Sequence, residues 1–472
     1  MNKKTLIAVS TFLFSSSLLL AQRPWEIYLK NDSVTMQVKP LKYFDLDNNI
    51  RVYYKQSNIL PKITFQLIIE GGESEESQEI AGINSLWGNA VVYSGSKKTP
   101  RQLLAEALEM RGSDFSFASS FERSIYTLDS LSDYFETDLA MIMEVIKNPV
   151  FAPEDVDLLK NQTLQTIKMR TENPARMASM AAQLIFWKGS ARGVISTSDS
   201  VNSIKVKTLE KWQERSMNPA RFSLLITGDF NLEHIQSLLN QHFAEFKKPK
   251  TPYNPAALSV PANFEKNGNG IIYHLTKDIP QTTLIYRAPG IKHYDKNYYA
   301  LKLYDFILGG DSFNSYLTQT IRVKNGWAYS VYSGYASGAY TGNIILFVQT
   351  QNKNVPAVMQ EIQKVLKNPT MVLDEKALES AKNSIKNSFV FLAETPESLA
   401  RLQLSLKWDN LPDDYLDHFL EKIQKVTLAD VKQVAEKYYR PENFLITAAG
   451  PQNLFMNNSD ATRKVIPYQI PQ

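Results

Sequence analysis

The chain has 472 residues, of which 43% are hydrophobic, 11% aromatic and 21% charged. With a mean hydropathy of −0.28, that balance suits a globular protein of roughly 150 residues per domain and excludes disorder, collagen and a polytopic membrane protein. The 52 Lys and Arg against 48 Asp and Glu leave a formal charge of only +4, too dispersed for the phosphate-neutralising surface that nucleic acid requires, and the lack of cysteine removes disulfides, iron–sulfur clusters, thiol nucleophiles and lipobox acylation.

Along the chain, residues 1–21 read first as a secretory signal peptide. Lys3 and Lys4 precede an apolar run over 6–20, and Leu19 and Ala21 stand at minus three and minus one of a cut before Gln22. A membrane anchor is the rival reading, but the run is diluted by Ser10, Ser15, Ser16 and Ser17 and falls short of the roughly 20 apolar residues that span a bilayer. Strands are predicted over 51–54 and 63–69, a helix over 82–92, alternating strands over 114–127, helices over 134–146 and 154–169, and a strand over 222–227.

The second half repeats this order. VIKNP at 145–149 returns as VLKNP at 365–369, and NPARF followed by LLITG, ending at Gly228, returns as RPENF followed by LITAAG, ending at Gly450. Both pairs share an offset of about 220 residues, too long for a solenoid repeat and fitting duplication of a whole domain. Pro249, Pro252, Pro255 and Pro261 are scattered through a polar stretch that reads as a semi-stiff linker over 248–269. Helices that separate antiparallel pairs cannot wind a parallel sheet, so each half is expected to be an α+β sandwich, an antiparallel-rich sheet with helices on one face. The expected domains are 41–247 and 270–455.

Two segments carry a resemblance. Gly82-Ile83, a helix, and then Ser94-Gly95-Ser96-Lys97-Lys98-Thr99 resemble the first motif of the insulinase/pitrilysin peptidases, the inverzincins, in which Gly-Leu precedes a helix bearing H-x-x-E-H and a Gly-Thr/Ser turn follows. The run SYLTQTIRVKNGWAY at 315–329 is similar to the family's C-terminal motif S-x-L-x-x-x-[IL]-R-x-x-x-G-x-x-Y. With Asn148-Pro149-Val150-Phe151 and the duplication, the likeness extends over about residues 41–455 and is to the short two-domain type, similar to subunits of mitochondrial processing peptidase.

In the family's first motif two histidines one helical turn apart hold zinc, the glutamate between them is the general base, and a distant glutamate completes the coordination. Counted from Gly82, the histidine positions fall on Ser85 and Asn89, the base on Gly88 and the distant ligand on Thr166. Counting back from Gly95 shifts the register by one residue, and the sequence leaves both registers open. Neither supplies a ligand, since residues 80–100 and 158–170 contain no His, Asp, Glu or Cys. His234, His242, His274, His293 and His418 show no paired ligand spacing beyond Asp414 and His418 one turn apart, a spacing that reads as a surface contact.

The second motif is intact. Ser312 is expected to cap a helix carrying Phe313, Tyr316, Leu317 and Ile321 on its apolar side, Asn325-Gly326 to give a left-handed stop, and a strand to begin at Trp327. By the resemblance, Arg322 and Tyr329 hydrogen-bond substrate backbone near the scissile bond of a zinc domain, where guanidinium and phenol donors position the peptide and stabilise developing charge. The bland alternative is a surface arginine and a strand tyrosine kept by the fold. Tyr329, Tyr332, Tyr335 and Tyr340 either line a peptide channel or pack between strands, and Gly309-Gly310 reads as a turn at the start of a helix because no Gly-Lys-Ser/Thr follows.

The resemblance therefore implies a zinc-less, non-catalytic subunit, with no cofactor of its own, of an exported heterodimeric metallopeptidase. Its partner is a homologue bearing H-x-x-E-H and zinc, its substrates are peptides, and it has no stable membrane anchor. A signal peptide fits periplasm or secretion, and the need to meet a partner favours the confined periplasm. Two alternatives stay open: a stand-alone pseudopeptidase capturing extended peptides on the edge strand expected over 114–121, and a structural scaffold of the cell envelope.

Overall fold

The structure, a computed structural model, describes residues 38–248, 251, 253, 271–452, 454 and 464–472. The expected signal peptide and nearly all of 248–269 lie outside those residues.

The first half builds a six-stranded sheet from β1 (Lys42–Asp45), β2 (Arg51–Gln56), β3 (Lys62–Glu70), β4 (Asp114–Ser119), β5 (Arg123–Leu131) and β6 (Phe222–Gly228), in the order β1-β2-β6-β3-β5-β4. Only β2 and β6 run parallel, so the sheet is mostly antiparallel, as expected of α+β order. Its helices are α1 (Ile83–Ser94), α2 (Arg101–Arg111), α3 (Phe135–Lys147), α4 (Pro153–Lys168), α5 (Pro174–Phe186), α6 (Ser198–Ser203), α7 (Val206–Ser216) and α8 (Leu232–Phe243). The second half repeats the plan with β7 (Ile271–Thr276), β8 (Gln281–Pro289), β9 (Ala328–Ser337), β10 (Gly342–Gln351), β11 (Leu445–Gly450) and β12 (Lys464–Pro467), in the order β12-β7-β11-β8-β10-β9. Its α-helices are α9 (Tyr298–Asp305), α10 (Val355–Lys367), α11 (Glu375–Phe389), α12 (Pro396–Trp408), α13 (Tyr415–Lys425) and α14 (Leu428–Tyr438).

Strand for strand, β2, β6, β3, β5 and β4 correspond to β7, β11, β8, β10 and β9, and the duplicated VIKNP and VLKNP segments end α3 and α10 at Lys147 and Lys367. The symmetry breaks at the outer strand. In the first sheet β1 pairs antiparallel to β2, whereas in the second the C-terminal β12 runs parallel to β7. The remaining outer strands, β4 and β9, are edges in both sheets.

Central strand β3 is buried along almost its whole length, the pattern of a strand covered on both faces. Its Ile63, Phe65, Leu67 and Ile69 face the helices of its own half, packing with Trp87, Leu139 and Leu239. Ile68 points the other way and meets Leu225, Ala400 and Leu404, so the second face of this sheet is covered by α12 from the other half. The exchange is reciprocal. From the first half, α5 lays Ala178, Ala181, Ala182 and Ile185 on Leu275, Ile285, Leu445 and Ala449 of the second sheet, its alanines allowing close approach. Helices of the same half thus cover one face, as expected, and a helix from the opposite half covers the other. Both covering helices are held at their starts: Asn173 accepts from the backbone of Arg176 before Pro174, and Thr395 forms a capping box with Ser398 before Pro396.

Candidate functional site

The chain turns into α1 at Gly82, whose φ of 95° suits glycine, and the N–H groups of Gly82 and Asn84 both donate to the Glu76 carboxylate at 2.8 Å. Burial pushes the Glu76 carboxyl up to about 7, against those two backbone bonds, which favour its charged form. From this start α1 aims Ser85 and Asn89 into a cleft of about 530 Å³, where Thr166 of α4 faces them. That placement decides the register left open by the sequence. Counting from Gly82 puts Ser85, Asn89 and Thr166 in one cleft; a count one residue on would place Leu86 and Ile167 on the same cleft but needs Ala90, which is fully buried in the core.

The cleft does not fit zinc. Asn89 donates to the main-chain oxygen of Ser85 at 2.8 Å and to its hydroxyl at 3.4 Å, and Thr166 to the main-chain oxygen of Gln162 at 3.0 Å, so the three neutral side chains are engaged within their own helices, and none is a His, Cys, Asp or Glu ligand. Glu73 and Glu76 are the cleft's carboxylates: Glu73 accepts from Ser119 at 3.0 Å and Glu76 from the two N–H groups of α1. Among the described residues no group of three or more His, Cys, Asp or Glu is placed to hold a metal.

The position of the base is also filled sterically. A Cβ added at Gly88 would lie 2.1 Å from the ring of Phe117 on edge strand β4. Phe117 packs edge-on against Trp87, with centroids 5.7 Å apart, and against Tyr126 at 4.8 Å. The sequence shows a glycine at 88 and an alternating Asp-Phe-Ser-Phe strand but not that the two compensate, so reading the sequence alone misses Phe117.

In the second half α9 passes directly into a π-helical turn over Phe306–Gly310, which contains the Gly309-Gly310 pair. The expected cap at Ser312 is corrected: the helical winding begins at Tyr316, and Ser312 lies in a turn before it that Asp311 holds by accepting from the backbone N–H groups of Phe313 and Asn314, at 2.9 and 3.0 Å. The residue directly before the winding is Ser315, whose main-chain oxygen accepts from the Gln319 N–H at 2.9 Å. Phe313 is 75% exposed rather than packed on the apolar side, since it lies in the turn before the winding begins, whereas Leu317 and Ile321 are buried as expected. Thr318–Lys324 is π-helical. Gly326, at φ 61°, makes the left-handed stop, and β9 starts at Ala328.

Arg322 ends this winding and Tyr329 opens the edge strand. The β9–β10 register slips between Gln349 and Thr350, leaving Tyr329 as the extra residue between Ala328 and Ser330, a bulge of the kind that re-aims a side chain. Arg322 is exposed and Tyr329 is 79% exposed. Neither side chain has a hydrogen-bond, ion-pair or ring partner among the described residues. The lining of the α1 cleft contains neither of them. Of the other tyrosines, Tyr332 stacks on Phe347 at 4.9 Å and Tyr335 donates to the Ile291 carbonyl, so packing between strands accounts for both. His418 makes the expected exposed contact with Asp414 at 3.3 Å and also meets Glu421 at 3.4 Å.

Residues 51–193 match the family described as Insulinase (Peptidase family M16), and residues 203–385 match the Peptidase M16 inactive domain. A Helicobacter pylori protein named non-peptidase homolog YmxG is 23% identical over 407 residues, spanning 84% of this chain and 91% of that one. The fold is shared with a solved peptidase M16 inactive domain from Pseudomonas fluorescens, at 22% identity and a TM-score of 0.74, covering 88% of this chain and 98% of that chain. It is shared too with the periplasmic protease PqqL from Escherichia coli, at 15% identity and a TM-score of 0.71, covering 88% of this chain and 46% of the longer protease.

Proposed function

The chain belongs to the insulinase family of peptidases, M16, and lacks its catalytic motif; from that premise we propose that it is the zinc-less subunit of an exported, periplasmic heterodimeric metallopeptidase. Its two peptidase-like domains, 41–247 and 270–455, form one side of a peptide-binding chamber. A homologous partner brings zinc and the general base. Arg322 and Tyr329 of this chain contact the backbone of a peptide held in the partner's site, positioning it and donating to the oxygen on which charge develops.

The observation that carries this reading is the asymmetry between the two motifs. The zinc positions hold Ser85, Gly88, Asn89 and Thr166 with Phe117 packed over Gly88, while Arg322 in the last turn of the helical winding and Tyr329 on the edge-strand bulge stand exposed with no partner among the described residues. An exposed tyrosine aimed outward with no intramolecular partner suits contact with another molecule better than upkeep of the fold. No described helix is long and apolar enough to cross a membrane, which is compatible with export in soluble form.

The test is a native pull-down of the tagged protein from its own envelope fraction, with mass spectrometry of co-purifying chains and a zinc assay on the complex. A near-stoichiometric relative bearing H-x-x-E-H and zinc supports the proposal. Recovery of the protein alone, without metal, refutes it. The second reading, peptide capture without cleavage, is favoured by the open edge of β4 beside the polar α1 cleft; saturable binding of unstructured peptides by the chain alone would support it.

A further inference from the structure

A second cavity, of about 230 Å³, lies where the two halves meet. Glu70 at the end of β3 and Glu122 and Arg123 at the β4–β5 turn come from the first half, and Tyr340 from the β9–β10 turn and Lys407 and Trp408 from the end of α12 come from the second. It is distinct from the α1 cleft, sharing no lining residue with it.

Its charges are paired unevenly. Glu70 stands directly across the strands from Arg123, yet the two charged groups do not meet. Arg123 turns instead over the Trp408 ring, 4.0 Å from its centroid, and toward Glu122 at 3.4 Å. Glu122 is engaged a second time by Arg192 at 2.7 Å. The Glu70 carboxylate is left with no hydrogen bond or ion pair among the described residues, and burial raises its pKa despite the nearby Arg123 and Arg221. On the cationic side, the Lys407 ammonium, bound to Asp413, has further donors to offer, and the Arg123 guanidinium lines the cavity with its charge.

A half-buried carboxylate left without a partner opposite cationic groups in one cavity is matched by a molecule that carries both charges. We propose that this cavity binds the zwitterion of a free amino acid, its ammonium on Glu70, its carboxylate on Lys407 with the Arg123 guanidinium charge beside it, and its side chain against Trp408 and Tyr340. The volume supports a ligand of this size, since pockets for drug-sized molecules run to roughly 300–1,000 Å³. A ligand seated there touches both halves of the chain at once. For a chain with a peptide-degrading assignment, the site answers to the end product of that chemistry, though its argument stands on the cavity alone.

Isothermal titration of the full mature chain, without partner or peptide, tests this with each common L-amino acid, simple dipeptides, a diamine, and N-acetylated and C-amidated derivatives of the tightest binder. The expected result is one-to-one binding of one or more free amino acids. Blocking either end should weaken it by roughly tenfold or more, the consequence of losing a charge-assisted hydrogen bond. Glu70→Gln and Lys407→Gln should each do the same while the unliganded variants keep the melting behaviour of the parent. No heat with any amino acid, undiminished binding of a blocked form, diamine binding as tight as that of the amino acid, a dipeptide as the tighter ligand, or full affinity in both variants would each overturn the proposal. Because the measurement uses the isolated chain, failure here leaves the zinc-less-subunit reading untouched, and failure of the pull-down leaves this site untouched.

Discussion

Gly88→Ala is a single methyl group whose effect can be worked out from the structure. The new Cβ would sit 2.1 Å from Cε1 and Cζ of Phe117, where carbon atoms in contact settle at about 3.5–4.0 Å. The ring must therefore retreat by about 1.4 Å, and it is wedged edge-on against Trp87 and against Tyr126. Overpacking of this kind costs about 1–3 kcal/mol, more than offsetting the few tenths to about 1 kcal/mol that alanine gains over glycine inside a helix. Urea unfolding followed by tryptophan fluorescence, to which Trp87 contributes from beside the clash, measures the change. Phe117→Ala alone should also destabilise by removing packed aromatic surface. The double variant should be more stable than the sum of the two losses predicts, by about 1–3 kcal/mol of coupling, because truncating the ring removes the obstacle to the methyl group. A Gly88→Ala variant as stable as the parent, or additive losses in the double variant, would refute the filled-base-position argument.

The same packing and exposure give three further outcomes. Arg322→Ala and Tyr329→Phe should leave the isolated chain's stability within about 0.5 kcal/mol, since both side chains are exposed, yet lower kcat/KM of the reconstituted pair by roughly 10- to 1,000-fold; full activity in both variants would dismiss their assigned role. Burial raises the carboxyl of Glu76 to about 7 and that of Asp305 to about 6, so the folded state holds these protons more tightly than the unfolded one. Their contribution to stability is fully present below pH about 4 and lost as pH rises through about 6 to 7. Melting temperatures from pH 4.5 to 7.5 should fall less steeply in Glu76→Gln and Asp305→Asn than in the parent, and identical slopes would contradict the assignment. Leu404→Ala on α12 opens a cavity against Leu225 and Ile68 of the opposite half and should cost about 2–5 kcal/mol in denaturant unfolding; a neutral result would mean the exchanged helix contributes little to holding the halves together.

Much of the architecture was legible in the sequence because it follows from local pattern. The apolar run of β3, the patterns of α3 and α4 and the recurrence of VIKNP as VLKNP placed those elements and the duplication within a residue or two of where they lie, whereas the alternation over 114–127 merged β4 with β5, which continues to Leu131, and α2, α5, α6, α7 and α8 escaped it. The lack of zinc ligands was also a property of composition, since a stretch without His, Cys, Asp or Glu cannot hold that metal in any conformation. At Ser312 local reasoning placed the helix start too early, because Asp311 ties Phe313 and Asn314 into a turn and the winding begins only at Tyr316.

Tertiary structure decided the rest. The register of the erased motif depended on which α1 positions face α4, and a helix cannot report from its own sequence which neighbour it faces. The packing of Phe117 over Gly88 joins residues on different elements whose compatibility is a matter of volume rather than residue type. The reciprocal covering of each sheet by a helix from the other half, and the turning of Arg123 away from Glu70 onto Trp408 of the opposite half, arise from contacts between segments far apart in the chain. Short-range periodicity carries no record of such contacts; only the folded chain, by bringing those surfaces together, determines which charges are satisfied and which are left open.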